Sequence, residues 1–589
     1  MLRGRFTALN GAALVVGAVA GLAAVALRWL IDLVQNLAFS GVVGASPREE
    51  NQFLTSRWGY LVLLVPALGG LLVGVIRKHW AETRQFGVTE VMAAVQAKGG
   101  ILRGRTSWGH GIISAITVGT GGSTGREGPI GYIGAALGSS LGRRVGLSAR
   151  DIKILLGCGF SSGIAASFSA PLGGVLMALE LVLPEFSTHA FIPLVASTVV
   201  GVTIGHIFLA DKATFAIPGF TLNSSSELLA FAALGLVCGF AAVAFIRLVT
   251  WSYNAWTAMR MSETLKPALG GLLVGLIGLT LLVTFGQYHV FGTGYATVSA
   301  VLRQPAATFW HLVPLLLVLV LAKPVATAVT VGSGGGGGMF SVSLFQGALW
   351  GGLVGLAAQA AWPHAGIDPA SYALVGMGAF YAASTRATLT AIVILTELTR
   401  NYLLILPLML AAVIADAVSV ALSRESLYTI KLTQKGIHYE HDRVQSPLDY
   451  IQVKDVMSHK VETLTTTMTV GEAFNRMMDL GHTGYPVVDA EGKLAGILTR
   501  RDLSRHMQAG KGTQPLADVV SGLCITAFPD EMLYRARDRI YQQDIGRLIV
   551  VDPNDRKKVT GILTRSDLLR AEAARDVEHG DPWGVRDDR

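Results

Sequence analysis

Residues 119–134 read GTGGSTGREGPIGYIG. Within an apolar sequence they set an arginine beside a glutamate, Arg126 and Glu127. A charge at membrane depth is costly and marks a functional site by default. Glycines leave neighbouring backbone N–H groups uncovered, and Pro129 suits the first turn of a helix, where its missing N–H costs nothing. The stretch reads as a loop that aims free N–H groups and the positive end of a helix dipole at an anion. Gly125, Arg126 and Gly128 frame that anion site. Glu127 hangs a negative side chain where the anion would sit. The plainer alternative is a glycine-rich turn between packed helices with an incidental ion pair. A phosphate-binding loop fits less well still, because no Gly-Lys-Ser/Thr follows and the flanks are not strand then helix.

Such a loop needs a scaffold, and the composition says which. The chain has 589 residues, of which 51% are hydrophobic and 15% charged. Its mean hydropathy is +0.49. That is too apolar for a soluble enzyme and too long for one domain. The 69 glycines let membrane helices approach closely and break. The net charge of +8 does not argue for nucleic acid. Arg3, Arg5, Arg77, Arg143 and Arg144 are expected at membrane edges, facing the cytoplasmic leaflet. Cys158, Cys238 and Cys524 have neither disulfide nor metal spacing. The opening MLRGRFTALN has no clear cleavage site and leads into a first membrane helix.

Apolar runs recur to about residue 422, at 11–26, 61–75, 192–209, 228–246, 269–285, 312–321 and 391–420. Several fall short of the roughly 20 residues of a full span. Glycine and serine clusters interrupt them at 119–134, 157–174 and 332–338. Broken helices are tolerated at membrane depth where they are buried in protein or line a cavity. Glycine-rich breaks near Gly125 and Gly335, in different halves, point to an internal repeat. Residues 435–450, KGIHYEHDRVQSPLDY, turn polar. Two similar stretches follow: VKDVMS, GYPVVD and GILTRRDL, then LADVVS, GRLIVVD and GILTRSDL. Each reads as strand, helix, strand, strand, helix, and the duplication predicts two modules packed as a pair.

Taken together, five segments resemble one family. They are GREGP at 125–129, SAPLGGVLMALE at 169–180, GSGGGGGMF at 332–340, GMGAFYAASTRATLTAIVILTELTRNY at 376–402 and SLYTIKL at 426–432. They are similar to the CLC chloride channels and proton-coupled chloride exchangers. The duplicated tail resembles a pair of CBS modules. The resemblance implies an all-α polytopic membrane domain, an inverted repeat with broken helices, followed by a cytoplasmic α+β CBS pair. The boundaries expected are 1–433 for the membrane domain, 434–452 for a linker, 453–510 and 511–575 for the modules, and 576–589 for a charged, disordered tail.

The resemblance also assigns roles. Glu127 matches the gating glutamate, which fills an anion site when charged and swings away when protonated or displaced. Tyr428 matches the tyrosine whose hydroxyl donates to a central anion. The N–H groups of Met339 and Phe340 match the pair that bind the same anion. A hydroxyl and amides, without a full positive charge, hold an anion loosely enough to release it. Two positions depart from the pattern. The first filter segment, usually Gly-Ser-Gly-Ile-Pro, is Gln85-Phe86-Gly87-Val88-Thr89 here, so Phe86 replaces a serine hydroxyl while the backbone of Phe86, Gly87 and Val88 remains. The internal proton glutamate of exchangers is replaced by Leu181, which carries no proton.

In the tail, Thr499 with Asp502 and Thr564 with Asp567 match residues that hold phosphate and ribose in nucleotide-binding CBS pairs, and Tyr485 could stack on a base. The same spacing also makes a helix N-cap with a first-turn acid. The expected function is therefore transmembrane chloride transport, leaning to a channel or weakly coupled conductor, regulated by the CBS pair. A proton-coupled antiporter is the alternative. A CBS-containing divalent-cation transporter would need rings of acidic residues, which the membrane part lacks. An enzyme would need a nucleophile with a base or a metal cluster, and no metal is expected. No cofactor is required beyond chloride as bound ion, with ATP or another adenine nucleotide at the CBS pair. The remaining expectations are a homodimer in a prokaryotic inner or plasma membrane, with its tail in the cytoplasm.

Overall fold

The computed structural model describes residues 2–44, 56–80, 87–97, 99–102, 104–183, 188–209, 215, 227–364, 366–434, 451–520, 524–553 and 555–578. The chain divides into two units, Met1–His441 and Asp442–Arg589.

The first unit is helical. Its first half runs α1 (Leu2–Gln35), α2 (Leu64–His79), α3 (Val88–Ala97), α4 (Gly104–Gly119), α5 (Glu127–Arg144), α6 (Ala149–Phe168), α7 (Pro171–Met177) and α8 (Thr188–Leu209). The second half runs α9 (Glu227–Ala258), α10 (Lys266–Phe285), α11 (Tyr295–Leu302), α12 (Val313–Gly332), α13 (Phe340–Ala361), α14 (Pro369–Thr385), α15 (Thr388–Thr399) and α16 (Ile405–Leu422), with α17 (Ile430–Gln434) after it. Among the described residues, nine helices are long and apolar enough to cross a membrane.

The halves repeat in detail. α5 packs on α6 as α13 packs on α14, and α1 packs on α8 as α9 packs on α16. α2 pairs with its counterpart α10, and α7 with α15. The breaks after α4 and α12 match residue for residue. Gly121 and Gly334 both turn left-handed, at φ 97° and 108°, a conformation that favours glycine. Gly122 N–H donates to Thr117 O at 2.7 Å, and Gly335 N–H to Thr330 O at 2.8 Å. Each break then uses the other's threonine: Ser123 N–H donates to Thr330 Oγ1 at 3.1 Å, and Gly336 N–H to Thr117 Oγ1 at 2.9 Å. An antiparallel bridge joins Gly125 to Gly338, with reciprocal N–H···O bonds of 2.9 and 2.7 Å. These exchanges are those of a pseudo-two-fold axis, the inverted repeat expected from the two glycine-rich breaks.

The short pair α7 and α15 follows the same rule. Glu180, in a π-helical turn that continues α7, accepts from Leu389 N–H at 3.0 Å, Thr390 N–H at 2.8 Å and the Thr390 hydroxyl at 2.7 Å. Glu397 on α15 accepts from Leu172 N–H at 3.0 Å and Gly173 N–H at 2.7 Å. Each carboxylate thus satisfies orphan donors at the start of the other helix.

The apolar run at 391–420 is not one helix: Arg400 turns left-handed at φ 52° and separates α15 from α16. The Arg77 guanidinium donates to Gly334 O inside the second break.

The second unit contains β1 (Leu464–Thr465), α18 (Val470–Leu480), β2 (Gly484–Val488), β3 (Leu494–Thr499) and α19 (Arg500–Gln508), then β4 (Thr526–Ala527), α20 (Leu533–Gln542), β5 (Arg547–Val551), β6 (Val559–Thr564) and α21 (Arg565–Glu578). This is the expected strand–helix–strand–strand–helix order, twice. Each three-stranded sheet pairs its first strand parallel and its last antiparallel to the middle one. The cores exchange segments across the sequence boundary. Val453 and Met457, ahead of β1, pack in the core with Leu533, Ile540 and Leu548. Leu516, ahead of β4, packs with Leu464, Val470 and Leu503. Most of the linker (435–450) and of the tail (579–589) lies outside the described residues, and α21 extends to Glu578.

Candidate anion site

The Gly125–Gly338 bridge brings the N-termini of α5 and α13 side by side. Neither helix has a side-chain cap: Arg126 and Met339 are the cap residues, and neither side chain bonds the first turn. Among the described residues, the N–H groups of Met339 and Phe340 donate to no protein acceptor. Two helix ends therefore point bare amides and partial positive charge into one place.

Glu127 is the first residue of α5 and is fully buried. Its carboxylate is held at both oxygens. The Tyr295 hydroxyl, at the first residue of α11, donates to Oε1 at 2.8 Å. The Ser341 hydroxyl, in the first turn of α13, donates to Oε2 at 3.0 Å. The side chain curls back over Gly125, where a Cβ would collide with Glu127 Oε2 and Ser341 Oγ. Gly128 lies against Gly338. Arg126 turns its guanidinium to the Tyr295 ring, 6.0 Å from the centroid, and carries opposite charge to Asp32 of α1 nearby.

Gly87, at φ 95°, and Val88 are buried at the start of α3. Thr89 Oγ1 donates to Tyr428 O at 3.0 Å, which ties this segment to the residue ahead of α17. Tyr428 is buried, and its hydroxyl is within electrostatic range of Glu127. The Phe340 ring meets the Tyr381 ring edge-on at 4.8 Å. The structure thus brings Gly125–Gly128 together with Met339 and Phe340 from the two halves, with Tyr428, ahead of α17, within electrostatic range of Glu127. Phe86 lies outside the described residues. Leu181 is buried in the π-helical turn after α7, beside Glu180, whose carboxylate is engaged by α15.

The motifs did not reveal Tyr295 or Ser341. Tyr295 belongs to no motif, and Ser341 directly follows the GSGGGGGMF segment without being part of it. Their hydroxyls become partners of Glu127 only when the halves fold together.

In the second unit, Thr499 caps α19 and donates to Asp502 Oδ2 at 2.6 Å, while Thr499 N–H reaches the same oxygen at 3.0 Å. Thr564 and Asp567 repeat this at 2.7 and 2.9 Å, and Arg570 donates to Asp567 Oδ1 at 2.8 Å. The helix-cap alternative is therefore realised in both modules. Tyr485 is packed in the first module's core, and its hydroxyl accepts from His482 N–H at 3.2 Å. It offers no open face for a base to stack on, because its ring serves that core.

Known proteins share this arrangement. The family profile described as voltage gated chloride channel matches residues 69–420. The CBS domain profile matches 453–509 and 517–574. A ClcB-like chloride channel protein of Ralstonia nicotianae is 34% identical over 379 residues, covering 63% of this chain and 85% of that protein. Chloride channel protein CLC-f of Arabidopsis thaliana is 27% identical over 659 residues, covering 95% and 80%. Among solved structures, a slow cyanobacterial Cl-/H+ antiporter superposes with a TM-score of 0.63 at 24% identity, covering 72% of this chain and 97% of the other. A eukaryotic CLC transporter gives 0.59 at 21% identity and covers 95% and 97%. These last two likenesses concern the fold. With an inverted repeat of broken helices, a profile match over most of the helical unit and two CBS modules behind it, the chain is a multi-pass integral membrane protein and belongs to the voltage gated chloride channel (CLC) family.

Proposed function

We propose that the protein conducts chloride, or another small anion, across a membrane by way of the paired N-termini of α5 and α13, with Glu127 as its gate. The observation that carries this is the fully buried Glu127 carboxylate beside two uncapped helix ends whose Met339 and Phe340 amides have no protein acceptor among the described residues. When charged, the carboxylate fills the place that amides and dipoles prepare for an anion. Protonation or displacement frees it. Val88, Gly87 and Tyr428 would serve a central position, held without a full charge. It is a transporter or channel and not an enzyme.

Leu181 favours a channel or a weakly coupled conductor, because no proton can pause at that position. A proton-coupled antiporter is the second reading, favoured by nothing at Leu181 but compatible with Glu127. Reversal potentials in crossed chloride and proton gradients separate them. A potential that ignores pH supports the channel; one that moves with pH supports coupling. Chloride flux with no magnesium flux in liposomes separates both from a divalent-cation transporter.

The CBS pair is proposed to face the cytoplasm and regulate the helical unit, with two chains forming a homodimer in a prokaryotic inner or plasma membrane. An adenine nucleotide would have to displace the Thr–Asp cap bonds to use Thr499, Asp502, Thr564 and Asp567. A thermal shift with ATP that is lost in Asp502→Ala/Asp567→Ala supports that pocket; an equal shift in both proteins removes it.

A further inference from the structure

We infer that Tyr295 and Ser341 form a clamp that holds the charged Glu127 side chain in place, and so set the pH at which the gate opens. The inference rests on Glu127 being the gate. Both hydroxyls donate, one to each carboxylate oxygen, at 2.8 and 3.0 Å. Both bonds are charge-assisted while the carboxylate is ionised, and so are of the stronger kind. The clamp spans the repeat: Glu127 comes from the first half, and Tyr295 and Ser341 come from two helices of the second.

The tyrosine is itself held rigidly. Its ring packs edge-on against Phe215 at 5.5 Å and Phe168 at 6.4 Å. The loop before it is anchored by Lys323 of α12, which is fully buried. Lys323 Nζ donates to Val290 O at 3.0 Å and Gly292 O at 2.7 Å. Gly294 turns left-handed at φ 87° directly ahead of Tyr295, against the Phe345 ring. A fully buried lysine nitrogen spent on two loop carbonyls is a costly way to fix a loop unless its position matters. Here it fixes the hydroxyl that meets Glu127.

Among the described residues, the titratable and charged groups facing Glu127 are Tyr295 from α11, Tyr381 from α14, Tyr428 ahead of α17 and Arg126 at its own cap. Asp32 of α1 lies within electrostatic range of Arg126. Neither Tyr295 nor Ser341 titrates in the working range, so removing either hydroxyl changes the gate's environment without adding a proton site.

The test is chloride flux against pH in liposomes for the full chain, with Tyr295→Phe, Ser341→Ala and Glu127→Gln, alone and combined. Loss of one hydrogen bond to a charged group should move the acid-activated limb up by about one pH unit. Each single variant should shift it that way, and the shift should vanish in the Glu127→Gln background. Elution as the parent species in detergent establishes folding, and either hydroxyl variant suffices if the other fails to fold. If the limb stays put in a folded hydroxyl variant while Glu127→Gln flattens the profile, the clamp is overturned and the gate stands. A shift that persists without Glu127 also overturns it. If even Glu127→Gln leaves the profile unchanged, the gate reading falls and the clamp with it.

Discussion

The breaks between α4 and α5 and between α12 and α13 have the same backbone and different side chains. Both turn on a left-handed glycine, both borrow the other's threonine, and each donates one bond of the Gly125–Gly338 bridge. At the first position of the helix that follows, one has Glu127 and the other Phe340. The shared part is backbone, two uncapped helix starts with no formal charge, which on the proposed reading would hold an anion without holding it tightly. The unshared part decides occupancy. On that reading a carboxylate competes with an anion for the amides. A phenylalanine, packed against Phe168 and Tyr381, can only wall the space. Symmetry builds the site, and one broken equivalence makes it controllable.

The largest effect should come from removing that inequivalence. Glu127→Gln keeps the shape of the side chain and abolishes its charge. For a single titrating group the parent flux should change by up to about tenfold per pH unit on its steep limb. The variant should be nearly flat, as read by chloride efflux from liposomes between acid and neutral pH. A parent-like slope would remove Glu127 from the gate.

Next comes a contrast between matched glycines. A Cβ at Gly125 meets the movable end of Glu127 and the Ser341 hydroxyl, whereas at Gly338 it meets the backbone of Gly128. Gly125→Ala should therefore expel the carboxylate, leaving a folded protein whose flux is high and weakly pH-dependent. Gly338→Ala has nowhere to push and should lose stability, of the order of 1–3 kcal/mol as for overpacking, visible as a lower thermal midpoint in detergent. If the two variants behave alike, the two sides of the bridge are equivalent.

The reciprocal caps give a smaller contrast. Glu180 accepts from three donors on α15, Glu397 from two on α7. Truncating either to alanine leaves part-buried donors unmet, two at α15 and one at α7, beside one exposed donor each, at about 1–3 kcal/mol, and Glu180→Ala should cost more than Glu397→Ala in the same thermal assay. The reverse order would mean that solvent satisfies the α15 end.

How much of this the sequence carried follows from distance along the chain. Glu127 could be read because its glycines and Pro129 surround it locally. The two breaks could be matched because glycine clusters mark them. Tyr295 could not, because it lies 168 residues from its partner and no local pattern records a contact made by folding one half onto the other. The 391–420 run misled because hydropathy does not register one left-handed residue at Arg400. The CBS repeats were visible as repeats, but the exchange of Val453 and Leu516 between cores was not. Either segment would satisfy a hydrophobic pattern in its own module.

The smallest effect lies in the second unit, where the two modules offer a matched pair of their own. Thr499–Asp502 and Thr564–Asp567 cap α19 and α21 with nearly the same distances. They differ in what else the acid does: Asp567 is buried and also accepts from Arg570, whereas Asp502 bonds within its own cap. Thr499→Ala and Thr564→Ala should each cost about 1 kcal/mol, the usual worth of an N-cap. Thr564→Ala should lie toward the smaller end, because Arg570 still holds its acid in position. The thermal midpoint of the full chain, followed through the unfolding of the strand-containing unit, measures both. Equal losses would mean that the Arg570 contact adds nothing to the cap.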